Sequence, residues 1–220
     1  MQNTKPGLSL RRALHLGLGV GLVLLLAALV TTGPGRSEPS DAPSESERYG
    51  ADVIGQPLPE WGDLRFLDTP HQRKQESFRG QILVIRFWTS GCPYCETSAP
   101  ILSEWVERYQ EDDVTILGIY HPKPPRRVSD ETVRRLAKEL GLDTMLAVDD
   151  DWEVLKKLWL RGKRRAFTSA SLLVDRQGTV RAAHRGGNLT PEGVKEDRLA
   201  YRAFADTLDV LLADNKEPRP

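Results

Sequence analysis

Cys92 and Cys95 are the only two cysteines in the 220 residues. They lie in the stretch ILVIRFWTSGCPYCETSAP from Ile82 to Pro100 with C-x-x-C spacing. On a helix, residues three apart share a face, so the two sulfurs can close on one another. A pair that closes is useful as a cycling disulfide, in which one thiolate attacks a foreign disulfide and the other resolves the mixed species. A zinc site needs four ligands, and the chain has no second cysteine pair to supply them. The expected cofactor and metal content is therefore none.

The elements that hold the pair are legible on either side of it. Ile82, Leu83, Val84, Ile85 and Phe87 form an apolar run interrupted only by Arg86, the pattern of a buried parallel strand. Thr89-Ser90-Gly91 then turns the chain into a helix that starts at the dithiol. The free N–H groups and positive dipole end of that helix favour an anion, which predicts a lowered pKa and partial thiolate character for Cys92. Cys95 lies one turn further in and is less exposed. Pro93 suits a helix start because it has no N–H to leave unpaired, and Tyr94 is expected as a partly exposed aromatic beside the sulfurs.

The pattern F-W-x-x-x-C-x-x-C-x-x-x-x-P after an apolar strand resembles the thioredoxin superfamily, and within it the membrane-anchored TlpA/ResA-like thiol-disulfide oxidoreductases of the bacterial envelope. Phe87, Trp88, Cys92, Cys95 and Pro100 carry the resemblance, which extends from about Gly55 to about Gly187. It implies a thioredoxin-like α/β fold, a central mixed β-sheet flanked by helices. It also implies Cys92 as attacking and Cys95 as resolving thiol, with Trp88, Pro93, Tyr94, Thr168 and Ser169 as redox-site neighbours. The implied partners are protein substrates with cysteines or disulfides and an upstream redox protein that resets the pair. Three positions depart from the family: Gly91 stands for a usual Trp, Ser98 for a frequent Glu, and Ser169 for the cis-proline. A cis bond before a non-proline residue costs about 2.5–4 kcal/mol, so Thr168–Ser169 is expected to be trans.

With 39% hydrophobic and 28% charged residues and no net charge, the composition is that of a globular protein. No basic stripe is interleaved with aromatics, so nucleic acid is not an expected partner. Residues 1–12, with Lys5, Arg11 and Arg12, read as a cytoplasmic n-region, and 13–32 as a transmembrane anchor or signal segment that places the chain beyond it outside the cytoplasm. Residues 33–53, rich in Pro, Ser and acidic side chains, read as a disordered linker. The thioredoxin-like domain is expected over 54–214 and a tail over 215–220.

Within the domain, Leu58 to Leu67 suggests a short strand or hairpin, and Ile101, Leu102, Trp105, Val106 and Tyr109 continue the helix begun at the dithiol. Asp113 to Tyr120 reads as the next buried strand. The loop His121 to Arg127 comes at its carboxyl end, where open α/β sheets build sites. His121 is accordingly the histidine placed to approach the dithiol, its alternative being a surface residue of a Pro-stiffened loop. Ser129 to Leu140 reads as a helix capped by Ser129 and stopped by Gly141, and Met145 to Val148 as a strand. Asp149, Asp150 and Asp151 suit a helix N-terminus. The run Arg161 to Arg165 reads as a solvated loop or a guide for an acidic partner. Ala170 to Asp175 and Thr179 to His184 pair across Gly178, and Thr190-Pro191-Glu192 is expected to cap a last helix running to about Ala213.

The leading function is a thiol-disulfide oxidoreductase of the cell envelope. One alternative is a peroxiredoxin-like thiol peroxidase, since Thr89 lies three residues before Cys92, although Ile85 stands where that motif has proline. Another is a Sco-like copper-delivery protein with His121 or His184 as third ligand beside two thiolates, although such proteins resemble C-x-x-x-C.

Overall fold

The computed structural model describes residues 50–62, 64–68, 73–162, 165 and 167–214. The expected n-region 1–12, the apolar segment 13–32, most of the linker 33–53 and the tail 215–220 lie outside the described residues. Among the described residues no helix is long and apolar enough to cross a membrane.

The sheet is built on the apolar run that precedes the dithiol. That run forms β2 (Ile82–Trp88), in which every residue is buried. It pairs in parallel with β3 (Val114–Tyr120) and antiparallel with β5 (Ser171–Val174). β4 (Met145–Val148) adds in parallel outside β3, β1 (Arg65–Phe66) antiparallel outside β4, and β6 (Val180–His184) antiparallel outside β5. The order is therefore β1-β4-β3-β2-β5-β6, a mixed sheet of the thioredoxin-like kind.

Period-two alternation along β2 divides the core between the two faces. Ile82, Val84 and Trp88 point toward Leu102 and Trp105 of helix α1 (Pro93–Arg108), Val133 and Ala137 of α2 (Asp130–Leu140), and Phe204 and Leu208 of α3 (Lys195–Ala213). Leu83, Ile85 and Phe87 point the other way, onto Trp61, Leu64, Phe66 and Phe78 and onto Leu155, Leu158 and Trp159. The last three belong to a helical turn, Glu153–Leu155, that runs on as the π-helix Lys156–Leu160. The α2 caps are those expected: Ser129 Oγ accepts from Thr132 N at 3.3 Å, and Gly141 closes the helix at φ 66°.

Several sequence expectations are corrected. The fold begins before Ile54, because Gly50 is buried and Val53 belongs to the core. Position 50 has φ +84°, and a Cβ there would meet the Trp159 ring at 2.5 Å. Of the alternatives expected for Leu58 to Leu67, a short strand or a hairpin, the strand is found, as the two-residue β1. Arg65 anchors that strand by donating to Val128 O at 2.8 Å and Asp150 Oδ2 at 2.9 Å. Asp149 does serve the following helical turn, its two oxygens accepting from Val154 N at 3.2 Å and Leu155 N at 2.7 Å. Arg165 is not solvated. Its side chain is buried, pairs with Asp52 at 2.9 Å and lies 4.5 Å over the Trp159 ring. The last helix starts at Lys195, with Val194 as N-cap, rather than at Pro191. Thr190 Oγ1 instead accepts from Glu192 N at 3.2 Å in a local turn.

Candidate active site

The carboxyl end of β2 delivers the dithiol to the start of α1. Gly91 makes the turn at φ +67°, a left-handed conformation that a side chain would strain. Cys92 then occupies the N-cap with extended backbone and Pro93 the first turn, as its missing N–H requires. The Cys92 carbonyl accepts from Cys95 N at 2.9 Å and Glu96 N at 3.2 Å. Both cysteines are free thiols; Cys92 is half-buried and Cys95 only 3% exposed. Pro100 lies inside α1.

The two thiols are electrostatically unlike. The Cys95 side chain hydrogen-bonds to the Cys92 sulfur and, with help from the Cys95 N–H, the Ser169 hydroxyl and the positive charge of Arg86, brings the Cys92 pKa down to about 5 against the opposing effect of burial. The same bond from Cys92 and the burial of the site push the Cys95 thiol up, while Arg86 and the Thr89 backbone oppose that rise. A half-buried thiol that ionises readily is thus backed by a buried one that holds its proton.

The loop 167–170 forms the facing wall. Thr168–Ser169 is not cis; the cis peptide bond among the described residues is Lys123–Pro124. Phe167 O accepts from Trp159 Nε1 at 2.6 Å, and Ala170 O accepts from Phe87 N at 2.9 Å, so both ends of the loop are held. The Phe167 ring meets Tyr94 edge-on at 5.3 Å, flanking the dithiol with two aromatics. Gly186 packs against this ring so closely that a Cβ would lie 2.4 Å from Phe167 Cβ. Tyr94 is 38% exposed.

His121 is neither a surface residue nor joined by a hydrogen bond to a sulfur. It is fully buried, Nε2 lies 3.0 Å from Thr168 Oγ1, and its ring meets Phe87 and Trp152 edge-on. Burial first, then the charges of Lys123 and Arg86, brings its pKa down to about 3. It reaches the 167–170 loop through Thr168 alone among its hydrogen-bond partners in the described residues. Trp88 is buried behind the dithiol and packs edge-on against Tyr120 at 4.8 Å. Among the described residues no group of three His, Cys, Asp or Glu is arranged to hold a metal ion.

The residue that sequence reasoning missed is Arg86, which reads there as an interruption of a strand. It lies on the same face of β2 as Val84 and Trp88, directly beneath α1, and is 1% exposed. Its Nη1 donates to Ser171 Oγ at 3.2 Å. Nη2 donates to Ser98 Oγ at 3.2 Å, to Gly187 O at 3.2 Å and to Tyr94 O at 3.4 Å. Ser98, the family's frequent Glu, in turn donates to Tyr94 O at 2.7 Å and accepts from Leu189 N at 2.9 Å. A charged residue within a buried strand was the available signal.

Fold and site together define a thioredoxin-like protein with a dithiol at the start of helix α1. The chain belongs to the AhpC/TSA family, which it matches over residues 54–183. Among curated relatives it is 25% identical over 125 residues to the thiol-disulfide oxidoreductase ResA of Geobacillus thermodenitrificans, covering 57% of this chain and 66% of that protein. It is 23% identical over 156 residues to the thiol-disulfide oxidoreductase YkuV of Bacillus subtilis, covering 70% of this chain and 98% of that protein. The match to protein DipZ of Mycobacterium bovis, at 26% identity, covers 54% of this chain but spans only 17% of that longer protein. Among solved structures, a thiol-disulfide isomerase from Corynebacterium glutamicum superposes with a TM-score of 0.52 at 20% identity, over 74% of this chain and 97% of that one. That likeness concerns the fold.

Proposed function

We propose that this protein is a thiol-disulfide oxidoreductase that exchanges disulfides with protein cysteines, with Cys92 as the attacking thiol and Cys95 as the resolving one. The observation that carries this reading is the asymmetry of the pair. Cys92 is accessible, with its pKa brought down to about 5 by the Cys95 hydrogen bond, and Cys95 is buried and pushed up by the same bond. Relatives named thiol-disulfide oxidoreductases support it. Tyr94, Phe167 and Thr168 form the surface that a substrate chain meets, and Ser169, itself buried, hydrogen-bonds to the Cys92 sulfur.

The domain acts outside the cytoplasm of a bacterial cell. It is tethered by the apolar segment 13–32 behind the basic residues Lys5, Arg11 and Arg12, and an upstream redox protein resets the pair. An oxidising compartment gives such an exchanger its substrates.

Purified protein offered an insulin-type disulfide, peroxide and Cu(I) in parallel tests the reading. Turnover of the disulfide alone is expected. Peroxide consumption without disulfide exchange, or stoichiometric Cu(I) binding without it, sinks the assignment. In cells, Cys95→Ser should trap mixed disulfides and Cys92→Ser none, and the full chain should fractionate with membranes.

A further inference from the structure

The dithiol sits over a cation that no carboxylate neutralises. The acceptors around the Arg86 guanidinium, Ser171, Ser98, Gly187 and Tyr94, all offer neutral oxygens, Nε has no partner, and among the described residues no ion pair reaches it. A buried charge without a counter-ion is costly, and this position lies on the sheet face that also carries Ile82, Val84 and Trp88. Burial lowers the Arg86 pKa; the charges of the two sulfurs, Cys95 ahead of Cys92, and a side-chain hydrogen bond between Arg86 and Cys95 oppose this, so the guanidinium reaches the resolving sulfur.

Cys95 has the complementary need. It must carry negative charge to resolve a mixed disulfide, yet it is 3% exposed, and no carboxylate figures among the main influences on its thiol. Resting on the exchange reading of the dithiol, we propose that Arg86 is a further catalytic residue: its buried guanidinium stabilises the negative charge on Cys95 Sγ whenever that sulfur attacks or leaves.

In the forward direction the Cys92 thiolate attacks a substrate disulfide RSSR, forms the Cys92–SR bond and releases RS⁻. Cys95 then gives up its proton and attacks Cys92 Sγ. The Cys92–SR bond breaks, and the second RS⁻ leaves with the electron pair and takes up that proton. The enzyme dithiol loses two electrons and RSSR gains two. In the reverse direction Cys95 is the leaving thiolate, so the same cation serves both directions. A lower leaving-group pKa speeds departure.

The test tracks formation and decay of the mixed disulfide between the full chain and glutathione disulfide, by acid quench and mass spectrometry. Arg86→Met should leave the formation rate, measured in a Cys95→Ser background, within about twofold. In the intact dithiol it should slow resolution at least about tenfold, the loss of thiolate that a one-unit rise in pKa brings. Arg86→Lys should restore most of the rate. Arg86→Gln, which keeps a donor toward Ser98 and Ser171 without the charge, should behave as Arg86→Met. If the unsubstituted chain forms no mixed disulfide, the exchange reading itself fails. If it does, and Arg86→Met resolves at the unsubstituted rate, only the role of Arg86 is overturned. Loss of folding in both uncharged variants would assign Arg86 to the scaffold and overturn it equally.

Discussion

Ser98 Oγ accepts a hydrogen bond from Arg86 Nη2 at 3.2 Å at the position where the resembling family often carries Glu. A hydroxyl there leaves the guanidinium charged and unpaired beneath the dithiol, whereas a carboxylate would neutralise it. The two departures from an apolar strand and an acidic helix are thus one arrangement.

Ser98→Asp is therefore expected to form an ion pair with Arg86 and to slow resolution of a glutathione mixed disulfide. Arg86 is the weakest of the main influences on Cys92, so the alkylation midpoint of that thiol should rise by less than about one unit. Ser98→Ala, which adds no charge, should leave the resolution rate near that of the unsubstituted protein. Equal rates in the two variants would contradict the account.

Alkylation measured against pH should give a Cys92 midpoint near 5, with Cys95 reacting only at much higher pH. Cys95→Ala removes the largest influence on Cys92 and should raise the midpoint most. Ser169→Ala removes a smaller one and should raise it less. A midpoint in Cys95→Ala that stays near 5 would return the cause to the helix dipole alone.

His121 and His184 are both buried neutral, their pKa values brought down to about 3 chiefly by burial. Each gains a proton in the unfolded chain near pH 6.5 but resists it when folded. Stability is then complete above about pH 6.5 and falls as pH drops toward 3, by about 1.4 kcal/mol per pH unit per histidine. His184→Leu should flatten the acid limb of a urea-midpoint profile. An unchanged limb would show that His184 ionises freely in the folded state.

Trp105 on α1 stacks on Phe204 of α3, with ring centroids 6.2 Å apart and planes 4° apart, and is 1% exposed. Truncation leaves a cavity between the two helices, so Trp105→Ala should cost about 3–5 kcal/mol of unfolding free energy. Chemical denaturation measures it, and a loss below about 1 kcal/mol would mean that α3 repacks.

Much of this fold is set by interactions that act within a few residues. The apolar run that became β2, the C-x-x-C pair and Pro93 at the first turn of α1, Ser129 and Gly141 at the ends of α2, and Gly178 in the β5–β6 turn each act locally. Their outcome is legible because the partner groups are neighbours in the chain. The features that chain order hides rest on groups far apart in sequence. Arg86 meets Ser171 across 85 residues and Gly187 across 101, so a strand interruption became the cation beneath the dithiol. The loop beyond β3 brings His121 under Thr168 rather than to the surface. The backbone N–H of Leu189 is held by Ser98, 91 residues away, and Thr190 turns onto Glu192, so the capping signal at Thr190-Pro191-Glu192 is spent in a local turn. A local signal fixes conformation only where no other partner offers the same polar group a better bond. At Arg86, His121 and Leu189 the folded chain supplied a distant one, and at Thr190 the next turn supplied a nearer one.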